Sequence, residues 1–192
     1  STKGHSENLA IFGNLGWNIF KNLNISLFGR NDNHKQTGSN NTYKINLQQN
    51  FINFNIGVSY MNGLRNPTLY EMFGTDNFGY SGNRDLKPEK SNTYEIYSKI
   101  LFNENLNLSL RAFRSNIKNN IEYINNKYRN DNDDIALNQS GLNSTLSYKN
   151  ENFNFNLFGS FLSSKKENGA SQLRRPQKNF GANFIKNIEN SF

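Results

Sequence analysis

The chain has 192 residues, of which 34% are hydrophobic, and its mean hydropathy is -0.81. That apolar content is low for a soluble core of this length, while the 14% of aromatic residues excludes an ordinary disordered chain. No apolar run approaches the ~18 residues that a membrane-spanning helix needs. High aromatic content with low hydropathy favours a chain that is apolar at alternate positions, as in a membrane β-barrel with lipid on one side and a polar lumen on the other.

The formal net charge of +7 permits two interpretations. A basic lumen or basic loops would attract anions. Alternatively, a compositional bias toward Lys and Asn explains the charge without any function. Asn makes up roughly a fifth of the chain, so we favour the bias. The absence of cysteine excludes a disulfide framework, a thiolate metal site and a cysteine nucleophile. The first six residues lack the apolar core of a signal peptide, so we expect that one was removed or that the chain is an internal piece of a longer protein.

Apolar and polar residues alternate in a series of short segments, and no helical period separates these segments. The clearest alternation runs from Ile52 to Tyr60. The pattern predicts strands over residues 7–19, 23–30, 42–47, 52–60, 94–102, 106–112, 135–148 and 153–161, with another beginning at 180. The strand from 106 is expected to continue to 121 or 123 after a bulge near 113–114.

The predicted connections alternate between short and long. Short turns are expected near Lys21, Asn50, Glu104, Asn150 and Asn187, and long loops over 31–41, 62–90, 125–134 and 163–175. Strands that follow one another without helices are joined as antiparallel hairpins, and outer-membrane barrels combine short periplasmic turns with long extracellular loops. The sequence therefore predicts an all-β fold with roughly ten strands or part-strands of an antiparallel transmembrane β-barrel. The four long loops would lie on the outer side.

The longest loop carries the most distinctive motif, and it contains two of the three Pro residues of the chain. Residues 64–71 read LRNPTLYE, and residues 86–95 read LKPEKSNTYE. These two phrases, in this order, resemble the paired signature late in the β-barrel of TonB-dependent outer-membrane receptors. Other phrases similar to that family are Thr42-Tyr43-Lys44, the segment 113–122 with Ile117-Lys118-Asn119, and Leu173-Arg174-Arg175-Pro176.

The resemblance covers most of the chain and implies a partial barrel. Residues 1–192 would be a fragment of the barrel domain, without the plug domain and the C-terminal strands. The implied function is uptake of a scarce metal chelate, cobalamin or a ferric siderophore, with the cobalamin branch the most similar. The implied location is the bacterial outer membrane. The implied partners are the chelate, the TonB complex acting through the missing plug, and outer-membrane lipid. No enzymatic activity, resident cofactor or nucleic-acid partner is implied.

Candidate site residues lie in the longest loop. Because aromatic residues and arginine are enriched at binding surfaces, the candidate ligand contacts are Tyr70, Phe73, Phe78, Tyr80 and Arg84. A loop packed on itself explains the same residues equally well. The residues of the two family phrases are expected to be architectural, since proline fixes φ at a strand end; they are Arg65, Pro67, Leu86, Pro88 and Glu89. Glu89 and Glu95 are expected to pair with lumen-facing cations such as Arg65 or Arg111.

Other polar clusters are weaker candidates. The oxygen-rich segment with Asp131, Asp133 and Asp134 could hold a loop Ca²⁺, but it lacks the glycine and final glutamate of an EF-hand, so a solvated acidic tip is the simpler interpretation. His5 and His34 lack the spacing of metal ligands, and no nucleophile elbow occurs. Two alternative functions stay open: a small complete barrel acting as a porin or adhesin, and a soluble basic β-protein whose aromatics stack on nucleic-acid bases.

Overall fold

The computed structural model describes residues 6–130, 136–171 and 176–186. Nine long strands are β1 (Asn8–Phe20), β2 (Leu23–His34), β3 (Gly38–Asn50), β4 (Phe54–Arg65), β5 (Glu89–Leu101), β6 (Leu106–Lys118), β9 (Leu137–Lys149), β10 (Phe153–Lys166) and β11 (Lys178–Lys186). They form one antiparallel sheet in this order, so neighbours in the sheet are neighbours along the chain except where β6 pairs with β9. Because β1 and β11 each pair along one edge, the sheet is an open part of a barrel. The all-β antiparallel prediction is confirmed.

Two small elements lie between the long strands. A short helix, α1 (Leu69–Phe73), follows β4. A separate two-stranded hairpin, β7 (Ile121–Ile124) and β8 (Lys127–Asn130), follows β6. In the described ranges, no helix has the length and apolar character to cross a membrane.

Direct cross-strand pairing places apolar residues in a continuous row on one face of the sheet. The row crosses eight strands through Trp17, Ile25, Leu47, Val58, Ile96, Ala112, Leu142 and Phe161. We call this the outward face, because an exposed apolar band faces lipid in a membrane barrel. The adjacent positions along four of these strands are polar and form the equivalent row on the lumen face: Ser26, Asn46, Ser59 and Glu95.

Aromatic side chains cover glycines on the lumen face. Tyr97 lies directly opposite Gly57, and a Cβ at Gly57 would fall 2.3 Å from the Tyr97 ring. The Tyr97 hydroxyl reaches β3, where it lies 2.8 and 3.0 Å from the side-chain oxygens of Asn46 and Gln48. Phe113 covers Gly141 in the same way. An aromatic ring that spans a glycine fixes strand register, so these pairs hold the strands in the alignment that the apolar row requires.

All the connections at one end of the sheet are short, whereas the other end has one short turn, 35–37, and the longer connections. The short turns at 21–22, 51–53, 102–105 and 150–152 confirm four of the five predicted turns, while the turn near Asn187 lies outside the described residues. The connection 66–88, the β6-to-β9 connection and the β10-to-β11 connection start and finish at the opposite end, which we call the outer end. The apolar side chains buried in the described residues belong to this end as well: Met72, Tyr80, Leu86 and Leu137.

The predicted loop over 31–41 is wrong. β2 continues to His34 and β3 begins at Gly38, with direct pairing from Asn31 opposite Asn41 to His34 opposite Gly38. The Asn31 amide donates to the Asn41 side-chain oxygen at 2.7 Å. Hydrophobic alternation marks only the part of a strand that faces lipid, so strand ends that are polar on both faces read as loops. β10 likewise continues to Lys166, inside the predicted loop 163–175.

The predicted bulge near 113–114 is also wrong, because β5 and β6 pair without interruption through Phe113 and Arg114. β6 ends at Lys118, and the next residue, Asn119, has a φ of 56°. Two further asparagines, Asn125 and Asn126, have φ values of 51° and 59° and form the two-residue turn of the β7–β8 hairpin. Asn tolerates the left-handed region that such turns require. The segment predicted to prolong β6 is therefore a separate hairpin.

Candidate functional site

The connection 66–88 begins with a capped helix. The Thr68 hydroxyl accepts from the Glu71 backbone N–H at 3.1 Å, and Glu71 Oε2 accepts from the Thr68 backbone N–H at 2.7 Å. This reciprocal arrangement is a capping box, which satisfies two backbone donors at the start of a helix. Pro67 is buried immediately before the cap, and its fixed φ sets the direction in which the chain leaves β4.

Arg65, the last residue of β4, holds two carboxylates. Its Nε and Nη2 donate to the two oxygens of Glu89 at 2.7 and 2.9 Å, and its Nη1 lies 3.2 Å from both oxygens of Glu71. Glu89 Oε1 also accepts from the Ile121 backbone N–H at 2.7 Å. The Arg65–Glu89 pairing confirms the sequence prediction, as does the Arg111–Glu95 pair at 3.6 Å. Arg65 therefore connects the end of β4, helix α1, the start of β5 and the β7–β8 hairpin.

The chain returns along the helix after a tight turn. The Gly82 and Asn83 backbone N–H groups donate to the carbonyls of Gly74 and Glu71 at 2.7 and 2.9 Å. Asp76 Oδ1 accepts from the backbone N–H groups of Phe78 and Tyr80 at 2.8 and 2.9 Å. Because these contacts fix the backbone on both sides of the turn, the Phe78 side chain projects from it and is 89% exposed.

A tyrosine cluster joins this connection to the hairpin. It consists of Tyr70, Tyr80, Tyr123 and Tyr128, with ring centroids 4.8 to 5.9 Å apart. The Tyr80 hydroxyl donates to the Tyr70 carbonyl. Burial raises the pKa of Tyr80 to about 12, and burial also raises the pKa of Tyr70. The Tyr80 phenol therefore stays protonated, and keeps its donor, well above neutral pH.

Asparagine side chains dock the hairpin. The Asn130 amide donates to the carbonyls of Lys87 and Asn119 at 2.9 and 2.7 Å, and its oxygen accepts from the Lys87 backbone N–H at 2.7 Å. The Asn83 amide donates to the Tyr128 carbonyl at 3.1 Å. Residues 66–88 and the hairpin with its flank, 119–130, are therefore packed into one structure, which we call the outer loop unit.

The predicted ligand contacts divide into exposed and buried residues. Phe78 and Tyr70 are 89% and 49% exposed, and the exposed Arg84 guanidinium lies over the Phe73 ring at 5.3 Å. Tyr80 is 4% exposed and lies inside the tyrosine cluster, where it packs against the other rings instead of facing a ligand. The unit thus presents two aromatic rings and an arginine to the outside. Of the residues expected to be architectural, Leu86 is 5% exposed and Pro88 is half-buried.

Sequence reasoning missed part of this site. Tyr123 and Tyr128 were not among the candidates, because no sequence signal indicates that they contact residues more than forty positions away. The spacing of Thr68 and Glu71 is a sequence signal for the capping box at the start of helix α1.

The calcium candidates Asp131, Asp133 and Asp134 lie outside the described residues. Within the described ranges, no three His, Asp or Glu side chains gather in a geometry that could hold a metal ion. The Ca²⁺ site therefore stays a prediction. Two charged side chains of the outer loop unit are engaged locally: Glu71 pairs with Arg65, and Arg84 lies over the Phe73 ring.

Comparison with known proteins agrees with this architecture. Solved structures with similar folds include the siderophore receptor PirA from Acinetobacter baumannii (18% identity, TM-score 0.76, 98% of this chain and 33% of that chain). The ferripyoverdine receptor of the Pseudomonas aeruginosa outer membrane is similar as well (16% identity, TM-score 0.74, 97% of this chain and 26% of that chain). So is the ferric-catecholate import receptor Fiu from E. coli (16% identity, TM-score 0.69, 92% of this chain and 31% of that chain). This chain spans about a third of the length of these structures or less.

At such low identity these structures establish the fold alone, and the family follows from the sequence itself. The family model described as TonB dependent receptor-like, beta-barrel matches residues 1–188, which is nearly the whole chain. This match agrees with the phrases at 64–71 and 86–95 and with the outward apolar row. The chain belongs to the TonB-dependent receptor-like β-barrel family, and its location is the bacterial outer membrane.

Proposed function

We propose that this chain forms part of the barrel wall and the outer loops of a receptor that captures a metal chelate outside the cell and imports it. No chemistry on the chelate is required. The observation that carries the proposal is the outer loop unit at the end of a barrel sheet of this family. Hydrogen bonds from Arg65 to Glu71 and Glu89 hold the unit in place, and Phe78, Tyr70 and Arg84 are exposed on it. Exposed aromatic residues and arginine on a preorganised support are typical of binding surfaces.

A ferric siderophore is the chelate class that we favour. Several structures with this fold are named for siderophores or iron complexes, including PirA, the ferripyoverdine receptor and Fiu. Arg84 on the exposed surface suits an anionic ferric complex. Cobalamin is the second candidate, and its support is the similarity of the phrases at 64–71 and 86–95 to the cobalamin-receptor branch.

We further propose that the intact receptor supplies the rest of a barrel of about 22 strands and a plug in its lumen. The nine strands of the open sheet would then be a little under half of the wall. The lumen face is polar, as a wall around a plug requires. The TonB complex would act on that plug to release the chelate inward.

The Phe78 side chain provides the sharpest test of ligand capture. We expect Phe78→Ala in the intact protein to weaken binding of the cognate ferric siderophore roughly tenfold, because the ring is exposed and supports no packing. Binding is measured by titrating the purified protein with catecholate and hydroxamate ferric siderophores and with cobalamin.

The matched control is Phe102→Ala. Phe102 is also an exposed phenylalanine, at 57%, but it lies in a short turn at the opposite end of the sheet. It should leave affinity unchanged. Equal affinities of Phe78→Ala and the wild type would show that Phe78 does not contact the ligand. If the protein bound none of the three chelate classes, the proposed function would be contradicted.

A further inference from the structure

The sequence contains two Asn-Gly dipeptides, Asn62-Gly63 and Asn168-Gly169. In an Asn-Gly dipeptide, the backbone nitrogen of the glycine can attack the side-chain amide carbon of the asparagine. Glycine suits this reaction because it has no side chain to hinder the attack and its backbone rotates freely. The two dipeptides have the same local chemistry, so a difference in their reactivity comes from the fold around them.

Asn168-Gly169 lies at the tip of an exposed turn that follows β10 at the outer end of the sheet. The Gly169 N–H donates to the Lys166 carbonyl at 2.9 Å, and the Lys166 N–H donates to the Ala170 carbonyl at 2.8 Å. Gly169 has a φ of 84°, as in a three-residue hairpin loop that ends with a left-handed glycine. Residues 167–170 are all exposed, so opening this turn unpacks no buried side chain.

The Asn168 side-chain amide is polarised by a hydrogen bond. Its oxygen accepts from the Ala170 backbone N–H at 3.1 Å. A donor at this oxygen stabilises the negative charge that the oxygen gains while a nitrogen attacks the amide carbon. Because the side chain is exposed, water also reaches the reacting carbon and ammonia can leave.

Asn62-Gly63 lies within strand β4, where both residues are paired directly with β5. The Asn62 side chain also joins the neighbouring strand β3. Its oxygen accepts from the Tyr43 backbone N–H at 2.6 Å, and its amide nitrogen donates to the Asn41 carbonyl at 3.0 Å. Attack by the Gly63 nitrogen requires these contacts and the strand pairing to break, so the fold protects this dipeptide.

We propose that Asn168 is a site of spontaneous modification, at which the asparagine converts to aspartate and isoaspartate in the folded protein. The Gly169 nitrogen loses its proton and forms a bond to the Asn168 amide carbon. The bond from that carbon to the side-chain nitrogen breaks, and the nitrogen leaves as ammonia. Water then opens the resulting succinimide ring at either carbonyl. No oxidant, reductant or enzyme takes part.

The modification changes the outer surface of the protein. It adds one negative charge next to Lys166, whose Nζ lies 2.7 Å from Glu122 Oε2 in β7. The isoaspartate form also places one more atom in the backbone between residues 168 and 169, which lengthens the turn. The charge and shape of this turn therefore change with the age of the protein. The inference does not use chelate transport, so it stands or falls separately from the proposed function.

The test follows both dipeptides in one sample of the purified intact protein. The protein is kept in mildly alkaline buffer made with heavy-oxygen water, so that hydrolysis of a succinimide leaves a heavy oxygen in the product. It is then digested in ordinary water, and the labelled peptides are quantified by mass spectrometry. Because exposed turns open at a lower free energy than paired strands, we expect conversion at Asn168 to be roughly tenfold or more faster than at Asn62.

The matched control is the same chain unfolded in concentrated urea. Without the fold, Asn168 and Asn62 should convert at rates within about twofold of each other. Equal rates in the folded protein would overturn the proposal, as would conversion of Asn168 that occurs only after unfolding. A large difference that persists in urea would overturn it too, since the fold would then not be the cause.

Discussion

Replacing Arg65 with methionine should loosen the outer loop unit as a whole. The change removes every hydrogen bond from the guanidinium to Glu71 and Glu89, and it leaves Glu71, 9% exposed, without its cationic partner. Hydrogen bonds to charged groups contribute about 1.5–3 kcal/mol each. Because the Arg65 side chain is 43% exposed, solvent screening reduces this contribution, and we expect the opening free energy of the unit to fall by about 1–3 kcal/mol.

The measurement is hydrogen exchange of backbone amides in residues 66–88 and 119–130. The expected loss corresponds to exchange that is faster by roughly fivefold or more in both segments. The second segment is included because Glu89, once released, no longer fixes the Ile121 N–H. Arg111→Met is the control: Arg111 also pairs with a glutamate, Glu95 at 3.6 Å, but on the lumen face. If Arg65→Met left exchange in both segments at the wild-type rate, the bracing role of Arg65 would be wrong.

Gly82→Ala should displace the segment of the loop that returns alongside helix α1. A Cβ at Gly82 would lie 2.6 Å from the carbonyl carbon and oxygen of Met72 and from the Phe73 nitrogen. These are backbone atoms, so no side chain can rotate to make room. Overpacking of this kind costs about 1–3 kcal/mol. We also expect loss of the hydrogen bond from Gly82 to the Gly74 carbonyl.

Two measurements follow this displacement. Exchange of the 66–88 amides should accelerate, and affinity for the chelate should fall because Phe78 and Arg84 flank the displaced segment. Gly29→Ala is the matched control, since a Cβ there meets no atom within 4 Å. Wild-type exchange and affinity in Gly82→Ala would show that the loop accommodates a methyl group, contrary to the close approach described above.

The fold was predictable from sequence wherever one face of a strand meets lipid. Ile52 to Tyr60 alternates because Ile56 and Val58 face outward and their neighbours face the lumen. The same logic fails beyond the lipid. From Asn31 to Asn41 both faces meet polar surroundings, so the strands continue without any alternation to reveal them. Strand ends in the outer region are set by backbone pairing, which composition does not record.

The site was predictable only where two predicted strands bring residues together. Arg65 and Glu89 follow from their positions at the ends of paired strands, and the sequence prediction of that pair is confirmed. Phe78 and Tyr80 are two residues apart and chemically similar, yet the first is exposed and the second buried. What separates them is the hairpin, whose tyrosines cover Tyr80. Contacts between two loop segments that no strand pairing joins cannot be inferred from one sequence alone.

The most direct test of chelate import is uptake of a radiolabelled ferric siderophore by bacteria that produce the intact protein, with and without a functional TonB complex. We predict accumulation above that of cells lacking the protein, loss of this accumulation when the TonB complex is inactive, and reduced accumulation with Phe78→Ala. Labelled cobalamin serves as the second substrate. Uptake that persists without the TonB complex would identify a passive pore. Uptake of neither the ferric siderophore nor cobalamin would show that the protein imports neither chelate. Either result would contradict TonB-dependent import of a metal chelate.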